Sequence, residues 1–199
     1  MDVPKKFDIR GWSRMSKADL IDAIQKANAV RTRRPAASRR SAMGLGILSG
    51  AAAGAAGTVA LDAATYLDMT VRGRPSSTTP QQTIEAIEQK LPVSVPGDDD
   101  TRSNRITGLS SLSGIATGIG VGVVFGVLRR LGVAPPLPLG AALVGLGAMA
   151  ATDLSMTGLK VTDPRTWSTK DWLSDLLPHL VYGAVTYATL RALDRDDDS

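Results

Sequence analysis

The chain has 199 residues, no cysteine, a single histidine and a formal net charge of +4. The missing thiols exclude disulfides and cysteine-ligated metal sites, and the length suits one ordinary domain, or a small module plus a membrane bundle. Mean hydropathy is +0.02, as in many soluble proteins, but the charges are clustered: residues 42–61, 106–128 and 131–152 contain no Asp, Glu, Lys or Arg.

A helix on the surface of a soluble fold needs polar residues every turn, so three uncharged runs of about 20 residues match the hydrocarbon thickness of a bilayer. Buried core helices are the alternative, but a short chain has too little polar surface to cover three of them. The expected fold class is therefore all-α, a polytopic membrane helix bundle of about four spans. The pI near 9.6 comes largely from arginine and points to anionic lipid headgroups before nucleic acid.

In chain order, residues 1–30 form the first unit, charged and amphipathic rather than a basic tip with an apolar core. The first span, not a cleaved leader, is expected to direct insertion. Ser16 followed by Asp19 is a capping-box-like start for a helix carrying Leu20, Ile21 and Ile24, and Phe7, Ile9, Trp12 and Met15 are placed to cover its apolar face. The run from Phe7-Asp8-Ile9-Arg10-Gly11-Trp12 through Ser16-Lys17-Ala18-Asp19-Leu20-Ile21 resembles, over residues 5–28, the N-terminal helical module of the Rho terminator and its SAP-like relatives, with the preceding helix truncated. That resemblance implies an interaction module, and in some relatives nucleic-acid binding. Trp12 and Phe7 are the only aromatics available for base stacking, and a small core needs both.

Residues 31–41 are a basic juxtamembrane linker carrying Arg31, Arg33, Arg34, Arg39 and Arg40, in which Pro35 is expected to interrupt any helix. These arginines suit contact with anionic lipid, with nucleic acid as the rival partner.

Spans are expected at about 42–67, 107–128, 139–159 and 171–192, making a membrane domain over 42–192 with an acidic tail at 193–199. The polar connection over 70–105 holds an N-cap at Thr79 before Pro80, then a helix at about 80–91 with Ile84, Ile87 and Leu91 on one side and Glu85 and Glu88 opposite, suited to a membrane surface. Residues 93–104, with Asp98-Asp99-Asp100, read as an exposed loop. The fourth span has only 15 uncharged residues, 176–190. It either enters obliquely from Ser168-Thr169-Lys170-Asp171 or lies re-entrant on the surface, with Trp167, Trp172, Tyr182 and Tyr187 as interfacial anchors. Ten Lys and Arg on one set of flanks against eight on the other place both termini on the cytoplasmic side.

Two motifs stand out. Gly114, Gly118, Gly122 and Gly126 recur at every fourth position, as do Gly46, Gly50 and Gly54. This glycine-zipper spacing lets backbones touch where lipid offers no hydrophobic drive for association, and the partner is either another span or a second copy. The second motif is ionisable groups near membrane depth: Asp62, Asp153 and His179, either a cation or proton site or polar groups at the headgroup level. A 91-residue shift aligns Asp62 with Asp153 and Ser77-Thr78 with Ser168-Thr169, a match that an alanine- and glycine-rich chain also produces by chance.

Thr65-Tyr66-Leu67-Asp68-Met69, Arg72-Gly73-Arg74-Pro75 and the stretch from Val161-Thr162-Asp163-Pro164 to Trp167-Ser168 look like pieces of small actinobacterial membrane proteins with four spans. The likeness covers 43–192 and implies a bacterial plasma-membrane protein without implying an activity. No phosphate loop, nucleophile elbow or histidine-rich metal pattern is present; no cofactor or metal is expected, and the chain reads as a non-enzymatic anchor, scaffold or complex subunit. The alternatives are a small channel or transporter using Asp62, Asp153 and His179, or membrane-tethered nucleic-acid binding through residues 1–40.

Overall fold

The structure is a computed structural model that describes the backbone of residues 15–196, and their side chains except for 28–41 and 195–196. The expected contributions of Phe7, Ile9 and Trp12, the side chains of the linker arginines and residues 197–199 lie outside the described residues. Among the described residues every regular element is helical: α1 (Lys17–Arg72), α2 (Thr79–Lys90), α3 (Asp99–Arg130), α4 (Leu137–Gly158), a 3-10 turn (Pro164–Thr166) and α5 (Thr169–Asp196). The chain divides into two compact units, residues 1–45 and 46–199.

In the first unit Ser16 opens α1 as its sequence suggests. Its hydroxyl accepts from the Asp19 amide at 3.2 Å and donates to the Asp19 carboxylate at 2.6 Å. Leu20, Ala23, Ile24 and Ala27 are half-buried, a helical stripe, while Met15 and Ile21 are exposed.

The backbone stays helical through 31–40, so Pro35 does not break it. A proline inside a helix costs about 3 kcal/mol, but arginine and alanine, which surround it, are among the strongest helix formers.

Among the described residues, three helical segments are long and apolar enough to cross a membrane: Ala42–Arg72, Asp99–Arg130 and Leu137–Gly158. Only 28%, 17% and 28% of their most apolar stretches are buried within the protein. So much bare apolar surface is stable in lipid rather than in water.

The first of these outruns the expected end at residue 67. Asp68 pairs with both Arg72 and Arg74 at 2.5 Å, and Gly73, at φ +63°, turns the chain. Helix α2 has Thr78, not Thr79, in the capping position; the Ser77 hydroxyl accepts from the Thr79 amide at 3.2 Å.

The acidic run is not loop. Asp98 accepts from the Thr101 amide at 2.9 Å, and Asp99 and Asp100 form the first turn of α3. Carboxylates belong there because the helix dipole favours negative charge at its N-terminus. Thr101, through its hydroxyl and then its amide, holds the Asp98 carboxyl below the usual carboxylate range.

At its other end α3 closes in a Schellman turn, Val133 N to Leu128 O and Gly132 N to Arg129 O, both 3.0 Å, with Gly132 at φ +93°. Ser168 and Asp171 form the capping box of α5. This helix runs through Pro178 to Asp196, so most of the expected acidic tail is helix.

The core is Ala53, Val144, Ala148, Tyr182, Tyr187 and Leu190. Tyr182 and Tyr187 are each 1% exposed, so they are core side chains and not interfacial anchors. Their hydroxyls can be buried because each finds a carbonyl at 2.6 Å, Gly118 O for Tyr182 and Pro135 O for Tyr187.

Candidate functional site

The glycine rows of α1 and α3 face each other. A Cβ on Gly46 would lie 3.0 Å from Gly126 O, one on Gly50 2.6 Å from Gly122 O, and one on Gly54 2.6 Å from Gly118 O. The carbonyl oxygens of Gly50 and Gly46 would in turn meet a Cβ on Gly122 or Gly126. Gly114 departs from the row, with nothing within 4 Å of the place its Cβ would take.

A second seam, between α4 and α5, had no repeat to announce it. A Cβ on Gly145 would lie 2.6 Å from His179 O, and one on Gly183 2.5 Å from Gly145 N; one on Gly140 would strike the Tyr187 ring. Tyr182 links the two seams, its hydroxyl on Gly118 of α3 and its ring against the Cβ position of Gly57 on α1. Thr58 closes the same level, bonding Gly54 O at 2.9 Å.

The three ionisable positions are divided. His179 is buried, and its Nδ1 lies 2.8 Å from Asp175 O, which as a carbonyl can only accept, so Nδ1 carries the hydrogen. The same nitrogen is 3.4 Å from the Asp175 carboxylate. Asp153, half-buried on α4, faces Asp175 within interaction range and senses His179 as well.

Asp175 Oδ2 is buried without a donor. Asp175 was missed because it sits in the charged approach to a short apolar run; its spacing of four residues before His179 was the available signal.

Asp62, also half-buried on α1, does not join this group. The expected triad is thus a different one: Asp153, Asp175 and His179, where α4 and α5 meet. Among the described residues no group of three or more His, Asp or Glu is arranged to hold a metal ion.

Two charged locks clamp the ends. At one, Arg129 of α3 bonds Asp194 of α5 at 2.5 Å and the Tyr187 hydroxyl at 2.8 Å, its guanidinium 5.0 Å above that ring; Arg130 adds a 3.5 Å contact to Asp194. At the other, Arg72 of α1 bonds Ser174 of α5.

A cleft of about 240 Å³ between α2 and α3, lined by Glu85, Asp99 and Arg102 among others, is below the usual 300–1,000 Å³ of a ligand pocket. Trp167 and Trp172 meet edge to face at 5.1 Å, Trp167 bonding Thr162 at 2.8 Å. Comparison of the chain with protein-family models, curated proteins and solved structures gives no match.

Proposed function

We propose that the chain is a four-span bacterial plasma-membrane protein with both termini cytoplasmic, a non-enzymatic anchor for the helical module of residues 1–30, acting as a subunit of a complex or as a homo-oligomer. The observation that carries this reading is the packed centre of the bundle. Gly46, Gly50 and Gly54 close on α3, Gly145 and Gly183 close α4 on α5, and Tyr182 fills the middle. Contact between backbones favours a rigid mount over a water-filled path. Helix α5 completes the fourth span because its polar groups are turned inward: Tyr182, Thr186, Tyr187 and His179 are buried, which spares lipid the polar side chains that make its apolar run short. Residues 31–40 serve the anchor by binding anionic lipid on the cytoplasmic face.

The absence of cysteine makes topology directly measurable. Ser94→Cys in intact cells should react with a membrane-impermeant maleimide, and Ser38→Cys should react only after lysis. The reverse pattern would invert the orientation.

The juxtaposition of Asp153, Asp175 and His179 favours a second reading, proton or cation passage. Liposomes holding the purified protein separate the two. The anchor reading expects no proton flux above that of empty liposomes. Flux that disappears in Asp153→Asn and persists in Asp62→Asn would replace it with a transport function.

A further inference from the structure

Helix α2 presents three faces rather than two. At about 100° per residue, Gln81, Glu85 and Glu88 share one stripe, Ile84, Ile87 and Leu91 a second roughly 90° away, and Gln82 and Gln89 a third opposite the apolar one. The first stripe is committed to α3: Arg102 reaches Glu88 at 2.6 Å and Glu85 at 3.8 Å. Glu88 also accepts the Val95 amide, so one carboxylate, 13% exposed, pins both the helix and the loop that follows it. The carboxylates are therefore turned sideways onto α3. Ile84 is half-buried, but the rest of the apolar stripe is left bare: Ile87 is 38% exposed, Leu91 55% and, just beyond the helix, Val93 66%.

Two tethers set the level of this bare face. Arg102 lies four residues, or about 6 Å, before the uncharged run of α3 begins at Ile106. Lys90 bonds Gly158 O at 3.2 Å, where α4 ends. Both tethers sit where an apolar helix leaves its uncharged stretch.

From this we infer that the Ile84–Ile87–Leu91 face, with Val93, docks into the leaflet around the bundle, as a lipid-inserted strap lying along the boundary between headgroups and acyl chains, with Gln82 and Gln89 toward water. The inference rests on the membrane-spanning reading above. The two spans to which α2 is tied leave most of their own apolar stretches bare, only 17% and 28% buried. The face itself carries no charge, so its attachment is hydrophobic rather than electrostatic.

The test uses the full chain in nanodiscs of three parts phosphatidylcholine to one part phosphatidylglycerol. Spin labels are placed one at a time at Ile87→Cys, Leu91→Cys, Val93→Cys, Gln89→Cys and Val124→Cys; Val124 lies on the exposed face of α3. Accessibility to oxygen is compared with accessibility to a water-soluble nickel chelate.

Labels at 87, 91 and 93 should favour oxygen several-fold over the label at 89, at a shallower depth than the label at 124, and the ratio should not change when salt is raised tenfold. If 87, 91 and 93 match 89 while 124 remains deep, the strap is wrong and the spans stand. A label at 124 that is open to nickel removes the spanning reading itself. Shielding of 87 and 91 from both reagents, with spin–spin broadening that unlabelled protein dilutes away, would make a second copy the occupant and overturn the lipid assignment.

Discussion

Gly122→Leu is expected to give the largest loss of stability of any single substitution in the bundle, while Gly114→Leu leaves it nearly unchanged. Both glycines belong to the same four-residue repeat, and repeat spacing alone assigns them the same weight. The surroundings separate them. A Cβ on Gly122 would meet Gly50 O and lie 2.6 Å from Gly54 Cα, backbone on both counts, whereas Gly114 has open space.

Side chains can rotate away from an intruding methyl group, but a helix backbone cannot without moving the whole of α1. Overpacking costs typically about 1–3 kcal/mol when neighbours can adjust, and Gly122→Ala should fall at the upper end. Leucine should separate the helices outright. Val121 is a poor control, because it packs against the core that holds Tyr182. Thermal unfolding in detergent, or retention of a compact form under denaturing electrophoresis, measures the difference. Equal losses at 114 and 122 would remove the specific seam.

The contrast shows what was and was not legible in the sequence. Charge-free runs announced the apolar helices, because a bilayer imposes one length and one chemistry on whatever crosses it. The capping pair Ser16 and Asp19 was legible because a cap is a local contract between residues three apart, and the start of α5 was legible near Ser168-Thr169-Lys170-Asp171 although its cap was not named. Helix ends that depend on distant or unusual partners were not. Helix α1, expected to end at 67, runs on to Arg72, where Asp68 pairs with Arg72 and with Arg74 beyond the helix.

Tyr182 and Tyr187 misled for the same reason. An aromatic in a short apolar run matches an interfacial anchor in composition, and only the approach of α5 to Gly118 and Pro135 gives each hydroxyl an acceptor in the interior. Asp175 joined the ionisable group, and Asp62 left it, because depth along a helix says nothing about direction around it. Helix α5 buries His179, Tyr182, Thr186, Tyr187 and Leu190, an enclosure that its hydropathy alone understates.

Asp194→Ala should produce the second large effect, at the opposite end of that helix. Asp194 lies between two arginines of α3, 2.5 Å from Arg129 and 3.5 Å from Arg130, and keeps 24% exposure where Arg129 keeps 11%. Deleting the carboxylate leaves two guanidinium groups side by side with their shared counter-charge gone. Breaking a buried pair from one side costs roughly 3–5 kcal/mol, and the residual exposure of Asp194 puts the expected loss at the lower end of that range.

Tyr187→Phe isolates the rest of the lock. It keeps the ring under Arg129 but removes the hydroxyl that accepts from Arg129 and donates to Pro135 O. With those two groups left to find other partners, about 1–3 kcal/mol should be lost. The double variant Arg129→Met with Asp194→Leu should recover much of the stability lost in Asp194→Ala, since apolar groups of similar volume can replace a buried ion pair. Unfolding temperatures of the four proteins in one detergent test the scheme. If Asp194→Ala unfolds with the parent chain, the α3–α5 ion pair is solvent-screened and α5 is held by its glycine seam and its other hydrogen bonds.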